Sequence, residues 1–327
     1  MANRLPIMDC DETFNYWEVV HFLLFGDNGN NDDSNNNGDT PITKSAFQTW
    51  EYSNEFALRT YAYLLPVVGL GRVFQAVLRL AGGGGGGLAS LSWLWPLLTS
   101  TQEVVHQSSE KVELFVLLRA SLGAWMTWAE ISFTRAIAEL GEAAITKGST
   151  NSAPSSAWFV LVALVTEGLL LTSAGMGHAA AALLPSSTLM GLWLFAAAAY
   201  LRQQHTRFIT LAVTATLAVG WPFGVIMFAP LGISVLFREY GSPNSAMMGL
   251  FLRIGLITAS IQGVVMAIDY QQYGRIVSPV WNILIYNTAS GGDELYGVEP
   301  FSYYVKNLIL NLNYVALVGI GAGLLMD

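Results

Sequence analysis

Residues 189–238 read LMGLWLFAAAAYLRQQHTRFITLAVTATLAVGWPFGVIMFAPLGISVLFR. Three apolar runs, 189–202, 207–220 and 224–238, are separated by a basic turn at Arg202, His205 and Arg207 and by the break Trp221–Pro222. Proline removes a backbone donor and kinks a helix, so the two short pieces around Pro222 read as a hairpin or a broken helix. A break of that kind survives at membrane depth only where protein or a cavity covers it. On both sides of this stretch lie further runs that reach or approach the roughly 20 apolar residues needed to cross a bilayer. They are 56–80, 112–138, 157–178, 247–268 and 308–326.

Composition agrees with bilayer as the main solvent. The 327 residues are 53% hydrophobic and 12% charged, with a mean hydropathy of +0.45. Soluble domains carry about 25% charged residues. Basic residues are few and scattered, which argues against nucleic acid as a partner. Part of the net charge of -8 is local, because Asp27, Asp32, Asp33 and Asp39 share one Asn/Gly-rich stretch. Cys10 is the only cysteine, so no intrachain disulfide can form. The segments 27–39, 82–87 and 148–156 are low-complexity insertions that bury too little apolar surface to order themselves.

Basic residues set the topology. The positive-inside rule puts the turn at Arg202, His205 and Arg207 in the cytosol, with Arg238. The polar segment 269–307 then faces the lumen of a secretory compartment, as does 179–188. If 1–55 is lumenal as well, one candidate span must be demoted, because the crossings before residue 269 must be even in number. Arg59, Arg72 and Arg79 single out 56–80, which reads as an amphipathic helix along the lumenal interface.

Three constellations could carry chemistry. In Asp9-Cys10-Asp11-Glu12-Thr13-Phe14-Asn15-Tyr16-Trp17-Glu18, three carboxylates precede an aromatic pair and a fourth acid. A carboxylate beside a bilayer can act as a general base, since a low dielectric raises its pKa toward the working range. Aromatic rings there suit a sugar face or the interfacial belt. Idle, solvated acids near a chain start fit the composition too. Phe47-Gln48-Thr49-Trp50-Glu51-Tyr52-Ser53 reads as a sugar-binding segment or as interfacial aromatics. The third constellation joins Asp269, Tyr273 and Arg275 to Glu299 within 269–307. Arg275 offers a fork suited to phosphate oxygens, or to a salt bridge with Asp269. No His/Cys/Asp spacing fits a zinc site, and Gly82–Gly87 lacks the Lys-Ser/Thr of a phosphate loop.

Asp11-Glu12 with Phe14-Asn15-Tyr16-Trp17-Glu18 resembles the first lumenal loop of glycosyltransferase family 22, which has the GT-C fold. Phe47–Ser53 with Arg59-Thr60-Tyr61-Ala62-Tyr63 is similar to the segment that follows it in that family. Leu184-Pro185-Ser186-Ser187, Gly220-Trp221-Pro222-Phe223, the stretch Asp269–Pro300 and Lys306–Asn313 continue the likeness in order. The resemblance implies an all-α polytopic membrane protein, a GT-C-type multi-span helical bundle with lumenal loops. It divides into a first lumenal loop (1–55), a transmembrane bundle (56–268), a second lumenal loop (269–307) and a final helix (308–327). The family has a spanning helix before the Asp-Glu motif and extends beyond this chain's last residue, so the chain is expected to be truncated at both ends.

The implied activity is α-1,2-mannosyl transfer from dolichyl phosphate mannose to a mannose-containing oligosaccharide on diphosphodolichol, at the lumenal face of the endoplasmic reticulum membrane. Asp11 is the expected base and Glu12 its catalytic neighbour. Trp17, Glu18, Gln48, Trp50, Glu51, Tyr273, Arg275 and Glu299 are expected to bind substrate, with Arg275 on the leaving phosphate. Neither metal nor cofactor is expected. The alternatives are a glycosylphosphatidylinositol mannosyltransferase of the same family, or a non-catalytic membrane scaffold or transporter.

Overall fold

The computed structural model describes residues 7, 9–25, 48–82, 109–146, 156–240, 244–289 and 299–312. The acidic stretch 27–39, most of the glycine run, most of 148–156 and most of 308–326 lie outside the described residues.

Among the described residues every regular element is helical. A π-helical turn Glu12–Trp17 runs into α1 (Glu18–Phe25). The irregular segment 53–64 leads to α2 (Leu65–Gly82), then come α3 (Ser109–Thr146) and α4 (Ser156–Thr172). The short α5 (Ala174–Ala179) precedes α6 (Pro185–Leu201) and α7 (His205–Leu217). The remaining helices are α8 (Val225–Tyr240), α9 (Asn244–Tyr273), α10 (Pro279–Thr288) and α11 (Phe301–Leu312).

Two helices are long and apolar enough to cross a membrane, Lys111–Glu142 within α3 and Ala246–Tyr273 within α9. Leu65–Leu78, Ala157–Thr172, Pro185–Leu201 and Pro222–Arg238 are apolar but shorter.

Local chemistry explains where the elements differ from the sequence expectation. The apolar run 157–178 divides at Ser173, which is extended (φ -71°, ψ 117°) and whose hydroxyl accepts from the Met176 amide to cap α5. At 56–80 the helix begins only at Leu65; before it the chain runs through turns, and Ala57 takes a left-handed conformation (φ 44°). The segment 269–307 is not simply a loop. It opens as the last turn of α9, and Pro279, well suited to a first helical turn, starts α10 within it. Between hairpin and broken helix at Trp221–Pro222, the structure has a hairpin. Helix α7 ends at Leu217, Gly220 turns the chain with φ 74°, a single 3-10 turn Pro222–Gly224 follows, and α8 packs back on α7.

Helix α3 packs against α4 and α6; α7 lies between α6 and α9, and α8 touches α6, α7 and α9. Lipid is as apolar as leucine, so such contacts depend on close van der Waals fit and small residues rather than on hydrophobic drive. Helix α6 supplies them: Ala196, Ala197, Ala198 and Ala199 are all buried, and a Cβ at Gly191 would stand 2.4 Å from the Trp125 ring on α3. A separate cluster gathers Tyr16, Trp17, Val19 and Val20 against Tyr52, Tyr61, Leu64, Leu114, Leu183 and Tyr273. It seats the first helical segment under 48–64 and against the ends of α3 and α9.

Candidate functional site

The Asp11–Glu12 pair opens a helical segment. Asp9 Oδ1 accepts from the Asp11 amide at 2.8 Å and the Glu12 amide at 3.4 Å, an N-terminal cap. Successive residues on a helix point about 100° apart, so two adjacent acids face different surroundings. Glu12 turns inward and is 1% exposed. Its Oε1 accepts from Trp17 Nε1 at 2.8 Å and from the Leu183 amide at 3.0 Å, tying the helix to the chain before α6. Asp11 turns outward and is exposed. Its only side-chain hydrogen bond among the described residues is a long one from Asn15 Nδ2, 3.5 Å.

Beside Asp11 stands a second pair of charges. Arg59 donates from Nε to Glu51 Oε2 at 2.7 Å and from Nη2 to Oε1 at 3.3 Å, a two-pronged ion pair. Its Nη1 donates to the Tyr16 hydroxyl at 2.7 Å, and its guanidinium lies 5.6 Å from the Tyr16 ring centre and 5.7 Å from that of Trp221. Burial disfavours the Arg59 charge, but Tyr16 and Glu51 more than compensate and its pKa rises above the ordinary arginine value. Partial burial raises the Asp11 pKa; the charges of Asp9 and Glu51 add to that, and Arg59 works against it.

The backbone that carries Arg59 is held from several sides. Tyr273 donates its hydroxyl to the Arg59 carbonyl at 2.6 Å. One turn earlier on α9, Asp269 Oδ1 accepts from the Tyr61 amide at 2.8 Å and the Thr60 hydroxyl at 3.1 Å. Asp269 is fully buried, and its Oδ2 has no hydrogen-bond partner. Asn15 joins the segments as well, since its side-chain oxygen accepts from Thr49 at 2.6 Å and its carbonyl from the Tyr52 hydroxyl at 2.8 Å. The left-handed Ala57 is braced by Asn282 on α10, which donates to the carbonyls of Phe56 (3.1 Å) and Ala57 (3.0 Å).

The structure brings together only part of the expected set. Asp11 and Glu51 share the cluster, Gln48 Nε2 donates to the Tyr61 hydroxyl at 3.1 Å, and Tyr273 lies beneath as a support. Trp50 is 45% exposed and packs its ring on Phe56 at 5.0 Å and Tyr286 at 5.7 Å. Arg275, on the exposed edge just past Tyr273, donates to the Asn54 carbonyl, and Asp269 pairs with Thr60 and Tyr61 instead of with Arg275. Three residues stand apart. Trp17 is buried edge-on against Phe115 at 4.8 Å. Glu18 lines a cleft of about 250 Å³ with Trp17, His21, Lys111 and Phe115. Glu299 is exposed, and no hydrogen bond or ion pair joins it to the cluster among the described residues.

Arg59, Tyr16, Asn15 and Asp269 are central here and are absent from the expected site. Arg59 reads in sequence as a charge that spoils an apolar run and as the first residue of Arg59-Thr60-Tyr61-Ala62-Tyr63, with no role assigned to it. Its signal is Glu51 eight residues earlier, within the aromatic motif. On the exposed rim, Asp9, Cys10 and Asp11 bring one donor atom each within 4.8 Å of one another.

A family model described as the Alg9-like mannosyltransferase family matches residues 40–327. Among curated proteins, the chain is 28% identical to the α-1,2-mannosyltransferase ALG9 of Arabidopsis thaliana over 309 residues, 94% of this chain and 42% of that protein. Identity to the mouse protein of the same name is 28% over 309 residues, 94% of this chain and 39% of that one. Against that of Saccharomyces cerevisiae it is 30% over 325 residues, 95% of this chain and 46% of that one. The chain thus spans less than half the length of the curated relatives it matches. No solved structure matches it.

Proposed function

This chain belongs to the Alg9-like mannosyltransferase family, and from that premise we propose that the protein it represents is an α-1,2-mannosyltransferase using dolichyl phosphate mannose as donor. The acceptor is a mannose-containing oligosaccharide on diphosphodolichol, and the reaction runs at the lumenal face of the endoplasmic reticulum membrane in a multi-span GT-C-type bundle. The relatives' shared name supports the α-1,2 linkage over the glycosylphosphatidylinositol branch.

The observation that carries the reading is the division of labour between Asp11 and Glu12. Asp11 is exposed, its pKa is raised, and it stands within the influence of the Arg59–Glu51 pair; Glu12 is buried and already engaged twice. Conversion of a β-linked mannosyl phosphate into an α-linked mannoside requires inversion, hence one in-line displacement. The acceptor hydroxyl oxygen bonds to mannose C1 as the C1–O bond to phosphate breaks. Its proton passes to the Asp11 carboxylate, and the electron pair of the broken bond leaves on dolichyl phosphate. A general base at this step contributes about 10²–10⁴ in rate. Arg275 has guanidinium donors beyond the one engaged by Asn54, and these suit the departing phosphate. Trp50, with Phe56 and Tyr286 against it, offers an aromatic surface for the acceptor sugar. Metal is not part of the scheme.

The test is mannosyl transfer by the full-length protein carrying Asp11→Asn, with membrane insertion checked in parallel. Expected is a loss of about 10²-fold or more with insertion unchanged. Transfer at the wild-type rate removes Asp11 from the role of base. Activity should also survive exhaustive chelation. A loss restored by added divalent cation would make Asp9, Cys10 and Asp11 a metal site instead.

A further inference from the structure

We propose that the basic turn between α6 and α7 is a binding site for the phosphate of an anionic phospholipid headgroup, at the opposite end of the bundle from Asp11. A surface cavity of about 580 Å³ opens there, lined by residues 203–207, Thr210 and, from a different helix, Arg253. None of its lining residues is a carboxylate. The acid nearby, Glu139, is engaged by both prongs of Arg202 at 2.7 and 3.0 Å, and among the described residues no ion pair joins a carboxylate to Arg207 or Arg253.

The guanidinium groups are held in place by neutral partners. Arg207 donates to the Gln204 side-chain oxygen at 3.4 Å, and Arg253 Nη1 donates to the Thr206 hydroxyl at 3.0 Å. Arg238 on α8 donates to the Gln203 side-chain oxygen at 2.5 Å and lies over the Tyr200 ring at 5.2 Å. Each of these bonds uses one N–H of five, so donors remain while position is fixed. Arginine forks suit phosphate oxygens, and α7 and α9 each contribute one to the cavity, Arg207 and Arg253. This turn folds tightly enough to place Gln203 at φ 59°.

Depth assigns the ligand to a lipid. Thirteen residues of α7 separate the turn from the hairpin at Gly220–Trp221, and Trp221 stacks on Arg59 of the Asp11 cluster. At 1.5 Å per residue that is about 20 Å of helix, most of a hydrocarbon core. The flanking faces are apolar and exposed: Phe237 is 73% exposed, Leu252 60% and Phe251 55%. Cations at the mouth of such a surface sit where lipid headgroups lie, and basic pockets between membrane helices bind anionic headgroups. The positive-inside rule puts this turn on the cytosolic side. This site and Asp11 are independent; either assignment can fail alone.

The experiment is native mass spectrometry of the full-length protein in detergent, titrated with dioctanoyl phosphatidylinositol, dioctanoyl phosphatidylcholine or inorganic phosphate. Expected is retention of one phosphatidylinositol in clear preference to phosphatidylcholine, with inorganic phosphate failing to displace it at equal concentration. Each arginine near an anionic surface contributes about five-fold in affinity, so Arg207→Gln/Arg253→Gln should lose about twenty-fold or more. Unfolding temperature without lipid should match the wild type, since both partners are neutral surface groups. Equal retention of the two lipids, or undiminished phosphatidylinositol binding by the double variant, overturns the proposal. Displacement by equimolar inorganic phosphate reassigns the site to a free anion.

Discussion

Asp11 and Glu12 are neighbours in sequence with the same chemistry, yet one is at the surface and the other 1% exposed. Their roles should differ accordingly. A base works only when ionised, so kcat/KM should fall as pH drops through the Asp11 pKa. Because burial raises that pKa, the acid limb of the profile should lie above the range of an ordinary aspartate. An acid limb within the ordinary range, or one unmoved by Asp11→Glu, would assign it elsewhere. Glu12→Gln should act on folding instead. It keeps an oxygen for Trp17 and Leu183 but adds two buried donors in need of partners, at a cost of about 1–3 kcal/mol. Arg59 is the least replaceable residue of the cluster. Arg59→Ala strands Glu51 with little solvent to screen it, since the two side chains are 11% and 17% exposed. The expected destabilisation is about 3 kcal/mol, read from thermal unfolding in detergent. Arg59→Lys should recover little of it, because a point charge cannot reach both Glu51 oxygens and Tyr16 together.

At the scale of elements, the site depends on how the last turn of α9 grips the 59–61 backbone. Asp269 and Tyr273 are one helical turn apart and hold Thr60, Tyr61 and the Arg59 carbonyl. Asp269→Asn preserves the accepting oxygen, so it should be tolerated far better than Asp269→Leu, which leaves the Tyr61 amide and the Thr60 hydroxyl unpaired. If the leucine variant keeps its unfolding temperature, this latch carries no weight. Helix contact elsewhere turns on missing side chains. Gly191→Ala would press a methyl against the Trp125 ring, and Gly220→Ala would strain a left-handed residue and meet Thr60 Cγ2 at 2.7 Å. Overpacking of this kind costs about 1–3 kcal/mol. The Gly220 variant should lose activity out of proportion to stability, because Thr60 adjoins Arg59.

Across the whole molecule, the two polar ends of the helices should lie on opposite sides of the membrane. Cys10 is exposed beside Asp11, and Gln203 is exposed at the basic turn. In sealed microsomes, with every other cysteine removed, an impermeant maleimide should label Gln203→Cys directly and Cys10 only after permeabilisation. Labelling of both from the same side would overturn the positive-inside assignment.

Much of this was legible in the sequence. The basic turn, the Trp221–Pro222 break and the low charge determined a helical membrane chain, since hydropathy and proline act locally and need no partner to be read. The Asp-Glu-x-Phe-Asn-Tyr-Trp-Glu motif likewise marked the segment from which the candidate base comes. Tertiary structure alone decided which acid of the pair faces out, because that depends on where Trp17 and the Leu183 amide lie, 171 residues away in the case of Leu183. It alone made Arg59 the partner of Glu51 and of Tyr16, 43 residues apart from the latter. Hydrogen bonds and ion pairs are fixed by distance in space, and the chain order of their partners carries no record of it.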